Sequence, residues 1–175
     1  MNKMLLIMLL LPCLVKAQNK LDSLRMPLNN EGRVEFSGIV ELKGYKSNDL
    51  FNNAIQYVSE TFTSPDKVTM LSDRIAGKLI VNAFFTVNTS HHINCVLQID
   101  VKDGKYRYTF RDFTHQVVIP TLTGSLAPPM RDFYTVFPNE FYDIDEGSRI
   151  GNGTKDKIQY LTDRLRTTMA KSNDF

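Results

Sequence analysis

Three groups of residues carry side chains suited to reaction or metal chemistry: His91-His92 with His115, the run Asp143-Ile144-Asp145-Glu146-Gly147, and Cys95. Imidazoles ligate zinc and related ions. Neighbours on a strand point to opposite faces, so His91 and His92 reach one ion only from a loop. No Cys or Glu stands at a recognised ligand spacing from them. A solvated polar connector over residues 88–92 is the expectation.

The acidic run places carboxylates at alternate positions with a glycine close by, as a calcium loop opens. Counting from Asp143, however, the third ligand position is Gly147 itself. The twelfth is Thr154, where a bidentate Glu belongs. An acidic turn before a helix is expected instead. The alternative chemistry is a metal-dependent hydrolase or accessory protein built on Asp143, Asp145 and a histidine. Cys95 falls on the apolar side of its segment and reads as a small buried hydrophobe. Gly151-Asn152-Gly153 is too short for a phosphate cradle and reads as punctuation before a helix. Asn88 and Asn152 each begin a glycosylation sequon, to which we assign no role. No nucleophile, base and acid group near one another in sequence, so the chain is read as non-catalytic, without cofactor or metal.

The scaffold that must hold these groups begins after a targeting segment. Lys3, the apolar stretch Met4 to Leu11, and Val15-Lys16-Ala17 before Gln18 have the charge order and small-residue site of a cleaved signal peptide over residues 1–17. The apolar run falls short of the roughly 20 residues a membrane span needs. Cys13 follows Pro12 where lipoprotein processing wants a small residue, so lipid anchoring is not expected. Removing 17 of the 175 residues leaves 158, with Cys95 the one cysteine and no transmembrane segment. A periplasmic or secreted protein without an internal disulfide follows. Cleavage also takes Lys3 and Lys16 from the 21 basic residues, leaving 19 against 19 acidic. Nucleic-acid binders need a basic surplus, so that class is set aside.

Residues 18–32 are polar and read as a flexible lead-in to a single domain over 33–175. Val34, Phe36, Val40 and Leu42 share one face of a strand, with Gly38 marking a bulge or the close approach of a helix. Ser47 is placed to cap a helix whose apolar stripe is Leu50, Phe51, Ala54, Ile55, Val58 and Phe62, ended by Ser64-Pro65. Val68 to Leu71 is a short strand. Lys78 to Asn88 is apolar on both faces, as in a central strand or one whose outer side meets something. Ile93 to Val101 alternates cleanly. Asp103-Gly104 then predicts a two-residue type I′ hairpin. Its register sets Lys102 against Lys105, Val101 against Tyr106, Ile99 against Tyr108 and Leu97 against Phe110. On the reverse side Asp100 faces Arg107.

Residues 119–153 read as one long loop with four prolines and with five aromatics between Phe133 and Tyr142. Thr154 caps a last helix carrying Ile158, Leu161, Leu165 and Met169. The sum is an α+β domain, an antiparallel sheet of about five strands with two helices packed on one face.

On the other face Ile80, Phe84 and Val96 would lie beside Arg107, Thr109 and Arg111. Phe84, Val96, Arg107 and Arg111 are the candidate ligand or partner face, suited to a protein, a peptide, a glycan or a lipid-like ligand. The competing expectation is that Phe133, Tyr134 and Phe137 of the long loop fold back over it.

Val34-Glu35-Phe36 leading to Val40-Glu41-Leu42, Ser47-Asn48-Asp49-Leu50-Phe51, and above all Lys102-Asp103-Gly104-Lys105-Tyr106-Arg107-Tyr108-Thr109-Phe110 with Asp112-Phe113 give the chain a resemblance. It resembles a family of exported bacterial proteins catalogued as a domain of unknown function, number 4468, with a TBP-like fold. The resemblance covers about Val34 to Phe113 and, loosely, the last helix. It implies a curved sheet with two helices behind it and brings no activity or ligand. TBP-like names a shape here, so DNA binding does not follow from it.

Overall fold

A computed structural model describes residues 26–121, 124–126, 131–132 and 144–171. The expected signal peptide over residues 1–17 with its Cys13, the aromatics Phe133, Tyr134 and Phe137, and Asp143 lie outside the described residues. The elements in chain order are β1 (Phe36–Glu41), α1 (Ser47–Thr61), the single turn α2 (Pro65–Val68), β2 (Thr69–Asp73), β3 (Lys78–Asn88), β4 (His91–Lys102) and β5 (Lys105–Val117). Then come β6 (Ile119–Thr121), β7 (Gly124–Leu126), β8 (Arg131–Asp132) and α3 (Ile144–Met169). The main sheet is antiparallel in the order β1-β5-β4-β3-β2, with β8 added to the far end of β5. β6 and β7 form a separate hairpin. Among the described residues no helix is long and apolar enough to cross a membrane.

Alternation puts Leu79, Val81, Ala83 and Phe85 of β3 with Ile93, Cys95, Leu97, Ile99 and Val101 of β4 on the face that α1 and α3 cover, and all of them are buried. Tyr106, Tyr108 and Phe110 of β5 join them in the expected register, Val101 to Tyr106, Ile99 to Tyr108 and Leu97 to Phe110. Ile158, Leu161, Leu165 and Met169 of α3 and Leu50, Phe51, Ala54 and Val58 of α1 close the core from above. A single core of this size supplies the stability of a domain that has no disulfide in it.

The hairpin turn departs from the expected type. Gly104 has φ +75°, but Asp103 is not among the residues with positive φ, which excludes type I′. The reason is tertiary. The Asp103 carboxylate accepts the Ser47 N–H at 2.8 Å and caps α1 from across the fold. Gly104 donates to the Tyr45 carbonyl at 2.9 Å and accepts from the Leu42 N–H at 2.8 Å. Ser47 is therefore the first helical residue and not the cap, which is Lys46 with no side-chain bond of its own.

These contacts, first the Ser47 N–H, then the Ser47 hydroxyl and last the Lys46 ammonium, hold the Asp103 carboxyl below the usual carboxylate range. A carboxylate depressed on folding adds stability above its unfolded pKa and loses it as pH falls through the folded value. Asp103→Asn is thus expected to lower Tm at neutral pH, with the gap from wild type closing under acid. Thermal melts at several pH values check this.

Three other departures matter. Residues 29–33, at the end of the expected flexible lead-in, form a defined turn, because the Asn29 side chain accepts the N–H groups of Glu31 and Arg33, both at 3.0 Å. The edge of β2 runs 69–73 and not 68–71, since Pro65 starts a helical turn that ends at Val68. The last helix begins at Ile144, ten residues before Thr154, so the expected loop of 119–153 is much shorter. Thr154 donates its hydroxyl back to the Ile150 carbonyl at 2.8 Å, a bond made inside a helix and not at its start. Gly153 is needed for packing, because a Cβ there would strike the Val87 side chain.

Polar groups fasten α1 to α3. Asn53, fully buried, donates to the carbonyls of Met169 at 3.1 Å and Lys171 at 3.0 Å, two acceptors the helix end leaves open. The Tyr57 hydroxyl donates to the Leu161 carbonyl at 3.1 Å.

Candidate functional site

The face of the sheet turned away from the helices carries the alternate residues of each strand. Val96 lies between Asn82 on β3 and Arg111 on β5. Phe84 is one step along β3, opposite Asn94, and Asp100 lies between Lys78 and Arg107. Phe84, Val96 and Arg111 therefore form one group, while Arg107 stands apart beside Asp100. Phe84 is 50% exposed, an unusual state for a phenylalanine in mid-strand. Leu71, 43% exposed on the edge strand, pairs with Ile80 and carries the apolar stripe to the rim.

The rim is not the basic border the sequence suggests. Arg107 donates through Nε and Nη2 to the Asp100 carboxylate at 3.2 and 2.9 Å, and Lys78 approaches the same group at 3.9 Å. Arg111 is paired with Asp112. Exposed pairs of this kind add little stability, but they leave the border close to neutral. Sequence reading also missed His92. It belongs to this face, where its ring meets the Phe84 ring edge to face at 5.3 Å. Its place was hidden because residues 88–92 read as a connector, whereas β4 starts at His91.

His91 points the other way and is buried with His115. The His91 Nδ1 and the His115 Nε2 lie 2.9 Å apart, one donating and the other accepting. A bulge explains the meeting. Asp112 takes φ +55° and inserts an extra residue in β5, so Phe113 and His115 face inward after Phe110. The solvated connector expected for this histidine is therefore replaced by a buried pair. Among the described residues no three His, Cys, Asp or Glu side chains are grouped to hold a metal ion. Asp145 is part of the first turn of α3, where the backbone is helical and does not wrap as a calcium loop would.

Burial alone pushes the Cys95 thiol far above its ordinary range. The nucleophile is the thiolate, so this group is inert while the protein is folded. An aromatic disulfide reagent is expected to label Cys95 only at the rate of global unfolding, with full labelling in denaturant. Fast labelling of the native protein would contradict the burial.

Residues 36–116 match the model of a family described as a domain of unknown function (DUF4468) with TBP-like fold. The resemblance read from the sequence is borne out over that stretch. No curated protein matches the chain. A crystal structure of a TBP-like protein from Parabacteroides distasonis is similar at TM-score 0.68 and 15% identity, with 84% of this chain and 98% of that one covered. A crystal structure of a DUF4468 family protein from Bacteroides ovatus is similar at TM-score 0.61 and 9% identity, covering 86% and 93%. At these identities the likeness is one of fold.

Proposed function

We propose that the domain is an exported, non-catalytic interaction module that receives a protein partner on the outer face of its sheet, aided by the segment after β5. One observation carries this reading. Phe84 stands half exposed on a sheet face that no described helix covers, beside the His92 ring and one step from Val96, with Ile80 and Leu71 farther along the same face. An apolar centre inside a border of satisfied ion pairs is how protein interfaces are composed.

Size supports a protein over a small ligand. Five strands about 4.8 Å apart, presenting about ten residues at about 3.4 Å each, offer roughly 800 Å². That is about what each partner buries in a standard complex. The segment after β5 returns to the same sheet, where β8 pairs with Thr114 and His115, three and four residues beyond Arg111.

Affinity capture from native envelope extract tests the reading with the wild-type domain and with Phe84→Asp/Arg111→Glu. Both side chains are on the solvent side of the sheet, so the variant should melt close to wild type. A protein retained by the wild type and lost by the folded variant is the expected result. Retention by both, or no retained protein at all, overturns the proposal.

A further inference from the structure

We infer a second, separate binding site on the opposite side of the sheet, a cleft between the segment 27–37 and α3 that takes a neutral sugar. Two long helices cannot cover five strands. α1 and α3 cover the middle of the sheet, and the inner face of the edge strand β1, with Phe36 and Gly38, is left half-buried. The space between β1 and α3 is an open cleft of about 830 Å³, lined by Leu28, Asn30, Phe36, Tyr108, Ile158 and Gln159 among others. Small-molecule sites have volumes of roughly 300–1,000 Å³.

Tyr108 points to a ligand. The side chain lines the cleft at 8% exposure, while its hydroxyl is not among the fully buried atoms and so stands open to that space. Tyr108 is built into its place: it pairs across the sheet with Gly38, where a Cβ would come within 2.6 Å of the Tyr108 hydroxyl oxygen. Glycine at position 38 thus makes room for this ring. A hydroxyl open to a cleft can bond a ligand in place of water.

The lining selects the chemistry. Glu35 and Asp156 stand against Lys155, so the cleft carries no positive surplus for phosphates or carboxylates. Asn30 and Gln159, whose amide nitrogen also donates to Asp163 at 2.9 Å, offer donors and acceptors that match hydroxyl groups, and Ser37 and Thr162 add hydroxyls of their own. Phe36, Tyr108 and Ile158 give an apolar floor for the C–H face of a pyranose ring. A lipid tail would strand these polar groups, and a sugar would satisfy them.

The test is titration of the protein, without its signal segment, with glucose, galactose, mannose and N-acetylglucosamine and their disaccharides, followed by amide and tyrosine NMR signals. Saturable shifts at Tyr108, Asn30 and Gln159 with at least one sugar are expected. Tyr108→Phe keeps the ring and should weaken that binding about tenfold. Gln159→Ala, on an exposed helix position, should weaken it as well. Phe84→Asp should leave it unchanged, which separates this site from the outer face. No saturable shift, shifts confined to other residues, or equal binding of a uronic acid overturns the inference.

Discussion

Phe110→Ala is expected to cost about 3–5 kcal/mol, the usual range for emptying a large aromatic site. Phe110 has no exposed surface. It faces Leu97 across one strand pair and Phe36 across the other, and meets the Tyr108 ring at 6.2 Å. Neighbours on three strands cannot all collapse into the space it leaves, so most of the cavity persists. Domains are stable by only about 5–15 kcal/mol, so the variant sits close to the unfolding threshold. Denaturant titration should show a lower midpoint with an unchanged slope. A loss under 1 kcal/mol would mean that the three strands do not share this side chain.

Asn53→Leu is expected to cost about 2 kcal/mol although it makes a buried position apolar. The substitution keeps the branching and heavy-atom count, adds some bulk, and removes the donor that serves the Met169 and Lys171 carbonyls at the end of α3. Two acceptors then lose their partner, and an unpaired buried group costs about 1–3 kcal/mol. Hydrogen exchange should locate the damage, with the last turn of α3 losing protection while β4 and β5 keep theirs. A neutral or stabilising result would show that water already serves those carbonyls.

Much of the fold could be read from the chain because strand alternation is tied directly to burial. Ile93 to Val101 and Tyr106 to Phe110 each have a single phase that hides their apolar residues. The two-residue connection at Asp103-Gly104 leaves one register in which those phases agree. The type of that turn could not be read, because it is set by hydrogen bonds to Tyr45, Leu42 and Ser47, nearly sixty residues earlier.

The start of α3 was hidden for a similar reason. Gly151 and Gly153 each cost a helix about 1 kcal/mol, which marks a boundary in local terms. Contact between Gly153 and Val87 outweighs that cost. Asn53 shows the same limit in α1, where a polar residue in the apolar stripe has its partners at the far end of the chain.

The buried histidine pair was out of reach because one inserted residue at Asp112 reverses the phase of β5. By plain alternation from Phe110, His115 would face outward. The outer face itself was readable from Phe84 and Val96. Its neutral rim was not, since Arg111 pairs with the residue that forms the bulge. The cleft beside Tyr108 is defined by what the helices fail to cover, and Gly38 was its one trace in the sequence, read there as a bulge or the approach of a helix, whereas the Tyr108 ring of β5 is what lies against it.

Site-specific photo-crosslinking in the native cell tests the outer face most directly. A benzophenone amino acid would replace Phe84 in one strain and Tyr160 in another. Both side chains are 50% exposed, and Tyr160 lies on α3 behind the sheet. A protein adduct formed from position 84 and absent from position 160 is the outcome the proposal requires. Equal adducts from both positions, or none from position 84, would contradict it.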